Sequence, residues 1–445
     1  MNAREAAMKI LYEVKVNKGY SNILINKVLD QDSFSRLDRA FITELVYGTL
    51  ENIILLDYII KQYSKTKLTK INPYTLNILR MGLYQILFLD KVPDFAAVNE
   101  SVELSKIYSK RATGFVNGIL RNISRNKEEL KLPDKESDIV KFYSITYSHP
   151  QWMVKALLKH YPEDFVEDLL KTNNKRPKLY ARVNKLKTSP EELIDILNGE
   201  GVGAKKSQYL DEAIIIEGDF TQLKKLSIYK EGFLYVQDLS SILVSKILDP
   251  EERDFVIDIC SAPGGKTTHI GELMNNKGKI LARDIHEHKL RLVRQNAQRL
   301  GIENIQLEKF DALKMDKELC QLADKVLVDA PCSGWGVIRR KPEIKYQQGA
   351  EEINNLIRMQ YQILTNASRY VKKGGYLVYS TCTINPNENQ NIIRRFLQHN
   401  DDFTIVDVDD KYKGILAGGV QEGMIQLYPH IHATDGFFIA KLMKK

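Results

Sequence analysis

Apolar residues recur at three- and four-residue intervals from Ala3 to about Ile123: Ala6, Ala7, Ile10, Leu11 and Val14 form one stripe, and Leu76, Leu79, Leu83, Ile86 and Leu87 another. That period places them on one face of an α-helix. Strand-like alternation is scarce here, so the pattern predicts an all-helical domain over residues 1–130. Pro73 and Pro93 mark helix starts or the turns before them, because proline fixes φ and lacks an N–H. The charge-rich stretch Asn126 to Asp138, broken by Pro133, predicts a linker.

Beyond it the pattern is mixed. Gln151–Tyr161, Glu163–Lys171 and Glu191–Leu197 have helical spacing, whereas Leu179–Val183 and Ala213–Glu217 read as strands, which predicts a small α/β unit over 140–235. From Phe255 onward strands and helices alternate, with strand candidates at Phe255–Ile259, Lys279–Asp284, Ile305–Phe310, Lys325–Asp329 and Gly375–Ser380. Helical patterns such as Leu290–Leu300 and Ile353–Val371 fall between them. This alternation predicts a doubly wound, Rossmann-like α/β domain over 236–445, whose ligands sit beyond the carboxyl ends of the strands.

Composition narrows the class only slightly. The 445 residues carry 65 Lys and Arg against 57 Asp and Glu, a net charge of +8, which is compatible with a polyanionic partner without establishing one. Lys171–Lys187 holds seven basic residues and no acid, and reads either as a solvated strand edge or as a phosphate-contacting surface. No secretory signal or membrane-length apolar run is evident, so a cytoplasmic address without a membrane partner is expected. The four cysteines, Cys260, Cys320, Cys332 and Cys382, form no C-x-x-C pair, so neither zinc, nor any other metal, nor a disulfide framework is expected.

Candidate chemistry gathers at strand ends. The run Asp258 to Thr267 (DICSAPGGKT) resembles a nucleotide-triphosphate loop only superficially, because that motif needs glycine where Cys260 stands. Its adjacent Gly264 and Gly265 instead allow a ligand to approach the backbone closely. Asp284 ends the second strand, where a carboxylate can accept from both hydroxyls of a ribose, and Asp311 follows the third, within reach of an adenine amino group. A single strand-end aspartate is usually a turn former or cap. Four of them, with Asp258 and Asp329, argue for a ligand site. Cys332 follows the strand-like KVLVDA, and Cys382 follows YLVYS. A thiolate can add to C6 of a pyrimidine and make C5 electron-rich enough to take a methyl group, and Asp329 could polarise a cytosine through N3 and the exocyclic amine. Cys260 and Cys320 read equally as small buried hydrophobes.

The segments DICSAPGGKTTHI, ARDIHEHK, KFDA, VLVDAPCSGWGVIRRKPEIK, LVYSTCT and DGFFIAKL resemble the motif series of the RNA cytosine-C5 methyltransferases of the Fmu/Sun/NOL family. LNILRMGLYQILFL, VNESVELSK and GFVNGILRNI resemble the NusB RNA-binding domain. The resemblance implies S-adenosylmethionine held by Cys260, Ser261, Ala262, Pro263, Gly264, Gly265, Lys266, Asp284, Asp311 and Asp329. It implies Cys382 as nucleophile and Cys332 as the cysteine that assists release of product. The NusB-like part implies a specific cytosine of 16S rRNA as target, in naked RNA or a partly assembled small subunit; the Thr-Cys motif argues against DNA, and a monomer is expected. Arg283 stands where the family usually has a smaller apolar residue, and is expected to be able to pair with Asp284. The alternatives are a tRNA cytosine-C5 methyltransferase, or a non-catalytic RNA-binding or antitermination protein.

Overall fold

The computed structural model describes residues 1–31, 34–217, 223–408 and 412–445. The chain divides into two compact units, Met1–Lys175 with Ile338–Gln348, and Arg176–Val337 with Gly349–Lys445.

The first unit is helical. Its main helices are α1 (Ala3–Val16), α2 (Ser21–Gln31), α3 (Arg36–Glu51), α4 (Ile53–Tyr63), α5 (Pro73–Phe88), α6 (Asp94–Tyr108) and α7 (Thr113–Arg125). Local signals set their starts. Asn2 accepts from the Glu5 N–H at 2.8 Å, Ser35 from Asp38 N–H at 3.1 Å and Asn72 from Tyr74 N–H at 2.9 Å, each satisfying an otherwise orphaned donor. Pro73 opens α5 and Pro93 caps α6, as their positions predict. Helix α5 is buried on nearly every face from Thr75 to Ile86 and forms the axis of the unit. Two glycines permit its close packing: a Cβ at Gly48 would lie 2.0 Å from the Tyr84 ring, and one at Gly82 would lie 2.4 Å from Ser101 Oγ. The predicted linker carries one short turn of 3₁₀ helix, Lys127–Glu129. Helices Ile139–Thr146, Gln151–His160 and Glu163–Asn173, and the short Ile344–Gln347 of the returning segment, also belong to this unit.

The second unit holds two sheets. Strands β1 (Leu179–Val183), β2 (Gly203–Lys206), β3 (Ala213–Glu217) and β4 (Leu234–Val236) form an antiparallel sheet in the order β2-β3-β1-β4. The larger sheet contains β5 (Phe255–Asp258), β6 (Lys279–Asp284), β7 (Ile305–Lys309), β8 (Ala323–Asp329), β9 (Val371–Thr381), β10 (Phe403–Ile405), β11 (Val420–Gln421), β12 (Met424–Leu427) and β13 (Phe437–Lys444). Its order is β11-β12-β13-β9-β8-β5-β6-β7, with β10 paired to β13. Strands β5 to β9 run parallel, and β13 runs antiparallel beside β9. The order reverses at β5, which has β6 and β7 on one side and β8 and β9 on the other. That reversal opens a crevice at the carboxyl ends of β5 and β8. Among the described residues no helix is long and apolar enough to cross a membrane.

The basic run does not form one surface. β1 is a central strand between β3 and β4, so alternation along it turns Arg182 inward, with 0% exposure. Its guanidinium donates to both carboxylate oxygens of Glu272 at 3.0 and 2.8 Å, to the Gly265 carbonyl at 2.8 Å, to Thr268 Oγ1 at 3.2 Å and to Gln237 Oε1. Lys187 likewise donates to backbone carbonyls of Glu231 and Arg299. Arg182 is therefore neither a solvated edge nor a phosphate ligand.

Candidate active site

The five parallel strands deliver the predicted residues to one edge of the sheet. β5 ends in Asp258, which is 1% exposed. Its Oδ2 accepts from Thr267 Oγ1 at 2.6 Å, while Oδ1 is buried without a protein partner. Burial pushes this carboxyl up to about 7; the Thr267 hydrogen bond and Lys266 oppose the rise, and the negative charges of Asp329 and Asp284 add to it.

The turn after β5 is closed by its own backbone. Ser261 N–H and Oγ both donate to the Arg283 carbonyl, at 2.9 and 3.0 Å, and Gly264 N–H donates to the Ser261 carbonyl at 2.8 Å. The Ala262–Pro263 peptide is cis, and Gly264 has φ of 101°, a conformation open to glycine. The helix Gly265–Leu273 then begins, and the N–H groups of its first turn have no carbonyl partner within the helix. The Cys260 side chain is partly buried against the sheet's apolar core, and burial pushes its thiol far up, so at this position the backbone is the available contact.

Asp284 closes β6 and accepts from the His286 N–H at 2.9 Å. Asp311, after β7, accepts from Leu313 N–H at 3.0 Å. Arg283 does not pair with Asp284. Adjacent strand residues point to opposite faces, so the buried Arg283 guanidinium turns away, donating to Glu308 at 2.8 and 2.9 Å and to Asp316 at 2.6 Å, and lying 4.1 Å from the Phe310 ring centroid. The ion pairs of Arg283 therefore go to Glu308 and Asp316 rather than to Asp284.

Asp329 ends β8. Lys266 Nζ donates to its Oδ2 at 2.7 Å and Ser380 Oγ to its Oδ1 at 2.9 Å. Burial alone would lower the Lys266 pKa, but the Asp329 charge and hydrogen bond, with Cys382 also nearby, raise it, so the ammonium stays charged. The strand register pairs Asp329 with Ser380, and so brings together the two segments that follow. Cys332 Sγ and Cys382 Sγ stand 3.3 Å apart. The contact with Cys382, then burial, then the charge of Glu388 push the Cys332 thiol well up, so Cys332 keeps its proton.

A buried carboxylate that sequence reasoning did not single out fastens this pair. Glu388, 0% exposed, accepts from Ser333 N–H at 2.8 Å, Ser333 Oγ, Gln360 Nε2 at 2.9 Å and Asn385 Nδ2 at 3.0 Å. Asn389 accepts from Thr381 Oγ1 at 2.6 Å and donates to the Thr383 carbonyl at 2.9 Å. The one signal in the sequence was the polar run Asn385 to Gln390 directly after the Thr-Cys segment, which a solvated loop explains equally well.

The chain is similar to known proteins along its whole length. The family model for the 16S rRNA methyltransferases RsmB/F matches residues 245–443, the NusB family model residues 1–125, and the ferredoxin-like domain model of RsmF/B-like methyltransferases residues 149–221. The probable ribosomal RNA small subunit methyltransferase B of Bacillus subtilis is 39% identical over 100% of this chain and 99% of its own length. The chain belongs to the RsmB/F family of 16S rRNA methyltransferases. Another family relative, ribosomal RNA small subunit methyltransferase B of Escherichia coli O1:K1, is 34% identical over 99% of this chain and 98% of its own. Among solved structures, the one titled PH0851 superposes with a TM-score of 0.85 at 30% identity, covering 99% of this chain and 98% of that one. NSun6 from Pyrococcus horikoshii, solved with SFG, an S-adenosylmethionine analogue, gives 0.59 at 26% identity over 66% of this chain and 98% of its own.

Proposed function

We propose that this chain methylates C5 of one specific cytosine in 16S rRNA, using S-adenosylmethionine and a covalent bond from Cys382 to C6 of the base. The observation that carries the reading is the contact between the Cys332 and Cys382 sulfurs beside the Lys266–Asp329 pair, at the switch point of the sheet of an rRNA methyltransferase family member. In this reading residues 1–130 are the NusB-like domain, 140–235 a small RNA-binding unit and 236–445 the catalytic domain.

The residues present fit the methyl donor. Asp258 offers a buried carboxylate oxygen without a protein partner, suited to an ammonium group, and Asp284 offers a carboxylate suited to a ribose diol. The backbone of Cys260, Ser261, Ala262, Pro263, Gly264, Gly265 and Lys266 would line the ligand, and Asp311 would meet the adenine amino group. S-adenosylmethionine supplies an electrophilic methyl group when bound there.

The chain's own residues do the rest. Cys382 adds as thiolate to C6, aided by the nearby Lys266 cation and by the Cys332 S–H, which can donate to its sulfur. Asp329, held at both oxygens by Lys266 and Ser380, faces N3 and the exocyclic amine and favours addition. The addition makes C5 the nucleophilic carbon. Once C5 carries the methyl group, a base removes its proton, the C6–S bond breaks with its electrons returning to Cys382, and Cys332 assists this release. The target base must be unstacked to reach these thiols, so a single-stranded or extruded cytosine is expected.

Changing each cysteine to alanine tests the roles. Incubated with rRNA and S-adenosylmethionine and run on a denaturing gel, Cys382→Ala should give neither product nor adduct. Cys332→Ala should accumulate a protein–RNA adduct. The reversed pattern assigns the nucleophile to Cys332, and unimpaired methylation by both variants refutes the thiol mechanism.

A further inference from the structure

Two strands of the small antiparallel sheet reach the turn that follows β5. The register of β1 and β4 places Arg182 opposite Tyr235, and the guanidinium carbon lies 5.3 Å from the centroid of that ring. Tyr235 packs directly on Gly265, where a Cβ would lie 3.0 Å from ring Cε1. Arg182 Nη1 donates to the Gly265 carbonyl at 2.8 Å and to Gln237 Oε1, and Nη2 donates to Thr268 Oγ1 at 3.2 Å. Thr268 Oγ1 in turn donates to the Gly264 carbonyl at 2.7 Å. Both glycine carbonyls of the turn are thus tied to one buried side chain of the small sheet. A buried ion pair such as Arg182 with Glu272 adds little net stability over apolar packing, but its donors fix direction. Because the Glu272 charge offsets that of Arg182, the guanidinium brings the turn geometry rather than net charge.

We infer that Arg182 is a positioning residue of the methyl-donor site: from β1 it holds the Gly264 and Gly265 carbonyls, and so sets the path of the backbone along which the donor lies. The inference rests on the donor site proposed above. Arg182 acts through the turn and touches no substrate. The small sheet then has a part in donor binding that is separate from any contact with RNA. A turn released from Arg182 must be ordered again when the donor binds, so the loss falls on donor affinity and on the KM for donor, while kcat at saturating donor is kept.

Calorimetric titration of the full-length chain with S-adenosylmethionine tests this, beside denaturant unfolding of the same proteins. Arg182→Lys keeps a cation for Glu272 but lacks the planar fork that serves Gly265, Gln237 and Thr268 together. Its donor affinity should fall about tenfold, equally at low and high ionic strength, with RNA affinity in the absence of donor at the parental level. Thr268→Val keeps the side-chain shape and the whole Arg182–Glu272 pair and breaks only the relay to Gly264, so it should show a smaller loss of the same sign even if Arg182→Lys folds poorly. Lowered stability with parental donor affinity in both variants would overturn the inference and leave Arg182 as packing between the two sheets. A loss of RNA affinity with donor affinity intact would overturn it as well. Failure of the parent itself to bind S-adenosylmethionine refutes the donor site, and the inference with it, and is read in the parent before any variant.

Discussion

Asp258→Asn should abolish a specific pH dependence of stability. The carboxyl has an ordinary value of 3.8 and is pushed up to about 7 in the fold, chiefly by burial. The open chain therefore loses this proton near pH 4, while the folded chain keeps it until about 7. Between those values the folded state binds more protons, so stability falls as pH rises through the window and levels off above it. A displacement of roughly three units at about 1.4 kcal/mol each amounts to about 4 kcal/mol. Asparagine keeps the shape and can still accept from Thr267 Oγ1, but has no charge to bury. The stability of the variant relative to the parent should therefore rise by up to about 4 kcal/mol between about pH 4 and about pH 8. Urea unfolding followed by circular dichroism at a series of pH values measures this, and the difference between the two proteins cancels the other carboxylates. A pH-independent difference would show that Asp258 is ionised at no cost in the fold and refute the reasoning. The stored cost bears on function: a cationic ligand group at the vacant Oδ1 lowers the price of ionisation, so donor affinity in the parent should strengthen as pH rises towards 7.

Arg182→Ala should destabilise the second unit by about 3–5 kcal/mol, because it strands the buried Glu272 carboxylate, and the salt slope of RNA binding should stay parental if the protein folds; denaturant unfolding and binding titrations check both, and a stable variant with a shallower slope would restore Arg182 as a phosphate contact. Asp284→Ala should cost about 1.5–3 kcal/mol of S-adenosylmethionine binding, the worth of a charge-assisted hydrogen bond. Calorimetric titration measures it, and parental affinity would remove Asp284 from the donor site.

Much of the architecture was legible because it rests on local rules. The helical stripe of α1 and α5 and the apolar runs of β5, β6 and β8 are periodicities of neighbouring residues, and turns at strand ends announce themselves through Asp258, Gly264, Gly265 and Asp284. The meeting of Cys332 and Cys382 was also within reach, since strands that end in related motifs and flank a crossover helix are natural neighbours. Shorter strands such as β2, β4, β11 and β12 escaped notice because two to four residues carry too little periodicity.

What stayed illegible was the sense of charged residues. Seven basic residues in Lys171–Lys187 look alike in sequence, yet Arg182 is fully buried in a central strand and its partner Glu272 lies 90 positions away. Glu343 sits among basic neighbours and reads as solvated, whereas its partner Ser21 is 322 positions distant. Glu388 lies in a polar run that composition assigns to solvent, and becomes a buried hub only because β8 and β9 bring Ser333 and Thr383 together, 2.8 Å apart. Burial of a charge is decided by whether the fold supplies its partners, and those partners come from distant strands and helices. Each such residue is a point where the fold spends stability on fixing geometry, and Glu388 does so directly beside Cys332, through the N–H and Oγ of Ser333.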